Sequence, residues 1–206
     1  MAQISSKKEE THKRMLDAAG RCFRSHGFAG IGVDGIAKAA GVTSGAFYAH
    51  LGSKGGAFAA ALDVGLDEVI ESLPKLQRDA GSEWVRAFAD YYLGQAHRDD
   101  LACGCAMTTL SPEVVRAGSE THAAYEAKMT QVASLVANGL AGGSEEERHA
   151  RAWAMLGTLI GGLTIARAVA SAELSESIAS AIREAAVKTA GKVRKVHSSP
   201  PAGSSN

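Results

Sequence analysis

One short stretch of the chain, residues 43–54, carries several side chains able to donate hydrogen bonds. They include Thr43, Ser44, Tyr48, His50 and Lys54. Hydroxyl, imidazole and ammonium groups are donors that proteins use to hold phosphate oxygens, and hydroxyls also read base edges. Gly45 and Ala46 stand among them and leave room for a backbone to approach a ligand closely. Singly, Tyr48 and His50 are more often structural residues, but together at this spacing they favour contact with a polyanion.

Two cysteines form the second group of residues with reactive chemistry. Cys103 and Cys105 lie near the start of a predicted helix, and a thiol near a helix N-terminus can have a lowered pKa and react as the thiolate. Arg167 is a candidate to assist if the fold brings it close. The alternative is that both cysteines are small buried hydrophobic residues. A disulfide between them is disfavoured, and Cys22 is interpreted as core.

Nine helices are predicted to position these groups, which gives an all-α fold. Proline is rare and alanine-rich stretches with Leu, Glu and Arg dominate. The predicted helices span residues 6–25, 33–40, 44–52, 53–73, 82–98, 101–116, 119–140, 145–170 and 173–190. Pro74 is expected to follow the fourth helix, and Ser144 with Glu147 to form a capping box for the eighth.

The predicted domain organisation has three parts. Residues 6–54 form a three-helix head, residues 55–190 form a helical bundle, and residues 191–206 form a disordered tail rich in Ser, Pro and Gly. The second and third helices flank Gly41-Val42-Thr43, and two short helices joined by a three-residue turn match a helix-turn-helix. Gly41 permits the sharp turn, and Val42 fills the space below it.

Charge is distributed unevenly along a chain whose net charge is zero. Residues 1–54 contain eight Lys and Arg but four Asp and Glu, whereas the remainder contains fourteen basic and eighteen acidic residues. A basic first quarter on an acidic body is expected when only one end of a protein meets a polyanion.

Several classes of protein are excluded by pattern. Three cysteines provide neither a disulfide framework nor a metal-type pair, and we predict no metal and no cofactor. The N-terminus lacks the apolar segment of a signal peptide, and no apolar run is long enough to span a bilayer. A reducing cytoplasm is the predicted compartment, with no membrane partner.

Residues 12–62 resemble the DNA-binding region of the TetR family of bacterial repressors. The resemblance rests on the run "IA…AGV…G…Y.H…SK" between Ile36 and Lys54. It implies that Thr43, Ser44 and Ala46 face base edges, while Gly45, Tyr48, His50 and Lys54 hold the DNA backbone. It also implies a double-stranded DNA operator as partner and no enzymatic activity. Ile31-Gly32 stand where the family usually has a hydroxyl residue that caps the second helix. The first turn of that helix is therefore expected to be less stable.

A second, shorter resemblance concerns the sensor. The run "GC…LS.EV" from Gly104 to Val114 is similar to a subgroup of regulators of electrophile and quinone detoxification. In that subgroup a cysteine directly after a glycine serves as the sensor, which implies this role for Cys105. The family also implies a pocket for an unknown small-molecule effector. Candidates to line it include Tyr92, Met107 and Trp153, although aromatic and Met residues at helical spacing are more often plain core.

The last two long helices, near 145–170 and 173–190, are the predicted homodimer interface. Gly157, Gly161 and Gly162 allow close helix approach, and apolar surface is supplied by Leu156, Leu159, Ile160, Leu163, Ile178 and Ile182. Internal packing of a monomer is the alternative. A two-fold dimer is favoured because one short reading helix binds too little DNA, whereas two match a palindrome.

The sequence therefore predicts a homodimeric repressor that binds a pseudo-palindromic operator and is released by a small molecule or an electrophile. Two other functions stay open. One is a thiol-dependent enzyme that uses Cys103 or Cys105, against which no nucleophile–base–orienter set is visible. The other is a ligand-binding helical protein without operator recognition.

Overall fold

The computed structural model describes the backbone of residues 2–102 and 104–194 and the side chains of residues 7–102 and 104–194. Within these ranges the chain is helical and contains no β-strand, so the predicted all-α class is confirmed. The helices are α1 (Ala2–His26), α2 (Val33–Ala39), α3 (Ser44–Leu51), α4 (Lys54–Ala80), α5 (Trp84–Tyr92), α6 (Gln95–Asp99), α7 (Ala106–Thr109), α8 (Ser111–Val114), α9 (Ser119–Gly139), α10 (Glu145–Ala168) and α11 (Ala172–Ala190).

Each of two predicted helices corresponds to two shorter α-helices in the structure. The predicted helix 82–98 becomes a 3-10 turn (Gly81–Glu83), α5 and α6, because Leu93 and Gly94 leave the helical path. The predicted helix 101–116 becomes an irregular segment followed by the single turns α7 and α8. The structure therefore places Cys105 at the end of a loop that precedes a very short helix.

The head packs α1, α2 and α3 around aromatic side chains. Phe23 and Phe47 are fully buried, and Phe58 from α4 meets Phe23 edge to face at 5.4 Å between ring centroids. Arg14 of α1 donates from Nε to the carbonyl of Ala40 at 3.0 Å, which ties the end of α2 to α1. This core holds α3 in a fixed orientation on the first turns of α4.

Helix α4 links the head to the body and continues past the predicted end. It runs through Pro74 to Ala80, so the predicted stop at Leu73 is wrong. Proline removes one hydrogen bond inside a helix, but tertiary packing can outweigh that cost. Leu73 is buried beside Pro74, and Leu76 and Ala80 in the following turns also pack against the core.

The body consists of α4, α5, α9, α10 and α11, and the contact between α10 and α11 is the most extensive in the fold. Buried Trp84 anchors the centre and directs its Nε1 towards the carbonyl of Gly139 at 3.4 Å. The predicted capping box is present, since Ser144 accepts from the backbone of Glu147 and the Glu147 carboxylate accepts from the backbone of Ser144.

The C-terminal end of the described chain is ordered further than the sequence predicts. Ala141 donates to the carbonyl of Lys192 at 2.7 Å, and Arg194 donates to the carbonyl of Gly139 at 2.9 Å. These bonds hold residues 191–194, the first part of the predicted tail, against the end of α9. Residues 195–206 lie outside the described residues. Among the helices that are described, none combines the length and apolar character needed to cross a membrane.

Candidate nucleic-acid interface

The turn between α2 and α3 has the geometry that its residue types predict. Gly41 adopts φ +65°, a left-handed conformation that glycine reaches without a steric penalty. Val42 donates to the carbonyl of Ala37 at 2.9 Å and packs half-buried on the head core. Thr43 is the N-cap of α3, and its hydroxyl accepts from the backbone N–H of Ala46 at 3.2 Å.

The N-terminal end of α3 is accessible. Thr43 and Gly45 are exposed, and Ser44 and Ala46 are half-buried. Tyr48 is 53% exposed, although its ring still packs edge to face on Phe47 at 5.7 Å. The residues predicted to face base edges and Tyr48 therefore belong to one surface of the head.

His50 and Lys54 lie at the margins of this surface. The His50 ring lies 5.8 Å from the ring of His12 on α1, beside a groove of about 600 Å³ that Lys8 and Lys13 also line. Lys54 places its ammonium 4.6 Å from the centre of the Phe28 ring, a cation–π contact. Sequence reasoning about the motif missed the contribution of α1, although the basic composition of residues 1–54 was a signal for it.

The start of α2 is held differently from the start of α3. Gly32 is the N-cap of α2 and provides no side-chain hydrogen bond, as its residue type predicts. Asp34 in the first turn of α2 instead accepts from the Ser44 hydroxyl at 2.5 Å. This bond joins the N-terminal ends of α2 and α3, and sequence reasoning did not find it.

A cavity in the body brings together several of the predicted sensor residues. It measures about 90 Å³ and lies between α4, α5 and the segment that leads into α7. Its lining includes Phe88, Tyr92, His97, Cys105 and Met107. Gly65 of α4 borders the cavity, and a Cβ at this position would lie 2.7 Å from the Cβ of Ala106, so glycine permits the close approach of α7.

Cys105 is half-buried among the cavity residues, and the pKa of its thiol is raised rather than lowered. Burial is the largest cause of the raised pKa, and hydrogen bonds from the backbone of Met107, the Tyr92 hydroxyl and the backbone of Thr108 offset it in part. The expectation of a lowered pKa at a helix N-terminus is therefore wrong. Helix α7 has a single turn, and the loss of solvation outweighs its amides.

Tyr92 and His97, which also line the cavity, are uncharged near neutral pH. Burial raises the pKa of Tyr92 well above its usual value, and its hydroxyl lies 2.5 Å from the hydroxyl of Thr108. Burial lowers the pKa of His97, whose Nδ1 lies 3.1 Å from the carbonyl oxygen of Tyr91. This distance fits a neutral ring that donates from Nδ1.

Two arginines hold the loop that leads to Cys105 from opposite sides. Arg167 of α10 donates to the carbonyls of His97 and Asp100, and burial lowers its pKa. Its Nη1 is buried without a hydrogen-bond partner among the described residues. Arg24 of α1 donates from Nε to the carbonyl of Ala102 at 2.8 Å, so the head contacts the same loop directly.

Two predicted sensor residues do not join this cavity. Trp153 lies on the outer side of α10 and is 45% exposed. Cys103 lies outside the described residues. Cys22 is half-buried against the head core, and burial raises its pKa, in agreement with a structural role.

Residues 15–61 match the sequence profile of a family described as bacterial regulatory proteins, tetR family. Over these residues the chain is similar to TetR-family regulators. The family resemblance predicted from residues 12–62 is thereby confirmed, and the regulators that the chain resembles are not enzymes. Comparison with curated proteins gives no match.

Solved structures of TetR-family regulators share the whole fold. A regulator from Cytophaga hutchinsonii superposes with a TM-score of 0.73 at 16% identity over 92% of this chain and 98% of its own. A regulator from Agrobacterium tumefaciens gives 0.72 at 16% identity over 86% and 98%. The reduced form of NemR from E. coli gives 0.68 at 20% identity over 85% and 97%. At these identities the likeness establishes the fold.

Proposed function

We propose that this chain is a cytoplasmic homodimeric repressor of the TetR family that binds a pseudo-palindromic operator and releases it when a small molecule or an electrophile reaches the body. The observation that carries the proposal is the accessible N-terminal end of α3, held on a head that is basic in an otherwise acidic chain. In this proposal Thr43, Ser44 and Ala46 contact base edges, and Gly45, Tyr48, His50 and Lys54 contact the DNA backbone.

Local geometry supports contacts to phosphates by some residues of this surface and contacts to base edges by others. The amide end of α3 and the Tyr48 hydroxyl can hydrogen-bond phosphate oxygens, which fixes the register of the helix in the groove. Lys8, Lys13 and His12 on α1 add positive charge or donors beside His50. Because few polar groups reach base edges, discrimination per subunit is modest and a dimer is needed to raise it.

The outer face of α10 supports dimerisation. Between Arg151 and Arg167 this helix carries no charged residue, and Trp153 and Ile165 are 45% and 54% exposed. Gly157 and Gly161 face open space, so a partner helix can approach there. Exposed apolar surface that adjoins small residues is typical of a permanent interface.

Several of the residues predicted to form the interface are occupied inside the subunit. Leu156, Leu159 and Leu163 are buried inside the subunit, and Gly162 packs against Ile182 of α11 within the same subunit. The predicted residues that remain available for a partner are the two outward glycines and the half-buried Ile160 and Ile178. On α11, Leu174 is 49% exposed and extends the apolar surface.

The cavity beside Cys105 is the proposed sensing site. Its buried polar groups, from Tyr92, His97 and Cys105, are uncharged, and exposed Glu68 borders it, so a small neutral molecule fits it better than an anion. The buried thiol is protonated at rest, and only a fraction reacts as thiolate. An adduct on this sulphur that is larger than the cavity of about 90 Å³ displaces the loop held by Arg24 and Arg167.

Operator binding is tested with the purified regulator and the DNA upstream of its own gene. We expect a sequence-specific complex that weakens steeply with salt, because contacts to phosphates release counterions. Fluorescence anisotropy against a shuffled sequence of equal length measures both properties. Equal binding to the two sequences at all salt concentrations would contradict the proposal and favour a helical ligand-binding protein without operator recognition.

The bond between Arg24 and Ala102 is the proposed link between sensor and head. We expect Arg24→Gln to bind operator within about threefold of the parent but to lose its response to alkylation at Cys105. In the parent, N-ethylmaleimide should lower operator affinity by about 5- to 150-fold, the usual range of allosteric coupling. The measurement is operator affinity before and after treatment, in a Cys22→Ser, Cys103→Ser background that confines the reaction to Cys105.

Arg21→Gln is the matched control because it removes the same charge from an exposed position on the same helix. It should keep the full response, and Cys105→Ser should abolish it while operator binding persists. If alkylation at Cys105 releases Arg24→Gln from the operator to the same extent as the parent, Arg24 is not the link. A thiol enzyme predicts a different pattern, in which Cys105→Ser abolishes turnover of an electrophile.

A further inference from the structure

The hydrogen bond from Ser44 to Asp34 fixes the polarity of the tip of α3. The Ser44 hydroxyl lies 2.5 Å from Oδ1 of Asp34 and is the donor. A carboxylate accepts hydrogen bonds but donates none, and an O–H donor to a carboxylate forms a short, charge-assisted bond. The single proton of the Ser44 hydroxyl is therefore committed to Asp34.

The Ser44 hydroxyl oxygen can still accept hydrogen bonds. A hydroxyl has one proton and two lone pairs, so a hydroxyl whose proton is committed can still accept. Asp34 is exposed, and its carboxylate adds further acceptors beside Ser44. The two side chains together form a small surface that only accepts hydrogen bonds.

Thr43, the neighbouring residue, is bonded in the opposite sense. Its hydroxyl accepts from the backbone N–H of Ala46 at 3.2 Å, and its proton has no assigned acceptor among the described residues. Thr43 is exposed, so it can donate to a ligand. The tip thus presents a donor at Thr43 and acceptors at Ser44 and Asp34.

We propose that Asp34 is a specificity-determining residue, which makes Ser44 an acceptor that selects a base with an exocyclic amino group in the major groove. This inference rests on the proposed operator binding. Cytosine N4 and adenine N6 are the major-groove donors, whereas guanine O6 and thymine O4 are acceptors. The position of the half-site that faces Ser44 is therefore cytosine or adenine on the contacted strand, and guanine and thymine are rejected there.

A purely structural bond would leave a different signature. If the bond between Ser44 and Asp34 only stiffened the turn, its removal would weaken binding to every sequence equally. If it sets polarity, its removal frees the Ser44 proton, and Ser44 can then donate to guanine or thymine as well as accept. The difference lies in base preference at one position rather than in overall affinity.

The test is selection of half-site sequences from a randomised duplex library by the full-length regulator and its variants. We expect the parent to enrich cytosine or adenine at one position by about two- to tenfold, the range of one net hydrogen bond. Ser44→Ala and Asp34→Ala should each reduce that preference towards equal use of the four bases, at that same position only. Asp34→Asn keeps an acceptor for Ser44 and should retain the preference.

Asp17→Ala is the matched control because it removes an equal charge from an exposed position on α1 of the same head. It should leave every base preference unchanged, and thermal melting establishes that each variant is folded. The assignment is overturned if Ser44→Ala and Asp34→Ala lose base preference at different positions of the half-site. It is also overturned if the parent prefers guanine or thymine at the position that both variants affect. A loss of affinity for all sequences without a change in preference overturns it as well. Absence of any enriched sequence for the folded parent instead overturns operator recognition itself, and the inference with it.

Discussion

Substitution Tyr48→Phe should weaken operator binding by about 100-fold while the protein stays fully folded. The hydroxyl is proposed to hydrogen-bond a phosphate, and a bond to a charged group contributes about 1.5–3 kcal/mol. A dimer carries two such hydroxyls, so the low end of this range gives about 3 kcal/mol, which corresponds to roughly a hundredfold change in affinity. The ring packs on Phe47 and is retained, which keeps the head intact.

The salt dependence identifies the kind of contact that Tyr48→Phe removes. No charge is lost, so the slope of affinity against salt concentration should equal that of the parent. Tyr91→Phe is the matched control, because Tyr91 is 67% exposed but belongs to α5 of the body. Anisotropy titrations at several salt concentrations measure both properties. If Tyr48→Phe and Tyr91→Phe bind operator equally well, Tyr48 is not a backbone contact.

Substitution Gly161→Arg should convert the dimer to a folded monomer that no longer binds operator at the parent's working concentration. A Cβ at Gly161 meets no atom of its own subunit within 4 Å, so the new side chain is tolerated by the fold. Arginine is also a better helix former than glycine by up to about 1 kcal/mol. In a dimer the same side chain would bury a charge between two apolar helix faces, at a cost of several kcal/mol.

Sedimentation or light scattering gives the oligomeric state of the Gly161→Arg variant, and its thermal unfolding reports the integrity of the subunit. Gly118→Arg is the control, since Gly118 also has open space around it but precedes α9, away from the proposed face. A Gly161→Arg variant that remains dimeric with parental affinity would move the interface away from this part of α10. A variant that is monomeric yet binds operator normally would remove the need for a dimer.

Residue types and their spacing were sufficient for the head. Gly41 at the turn, the small residues that follow it and the basic first quarter are local features, and each of them constrains the backbone or the charge of its own segment. The same applies to the capping box at Ser144 and Glu147, which involves groups three residues apart. For this reason the helix-turn-helix and the all-α class could be predicted without tertiary information.

The sensor region was beyond such reasoning because its properties depend on burial. The position of Cys105 near the start of a predicted helix suggested a low pKa for its thiol, but burial of the thiol raises that pKa. Trp153 looked equivalent to Tyr92 as a large aromatic residue, yet Tyr92 is buried at the cavity and Trp153 faces outwards. Pro74 looked like a helix end until Leu73 and its neighbours were packed in the core.

The sequence by itself determined that a helix-turn-helix stands in a basic head joined to a helical body, because local propensity, turn chemistry and charge are carried by neighbouring residues. Only the tertiary structure decided which glycines face outwards, which thiol is shielded and which carboxylate holds Ser44. These properties arise between residues far apart in the chain, such as Asp34 with Ser44 or Arg24 with Ala102, and burial and pairing become defined only when the helices have packed.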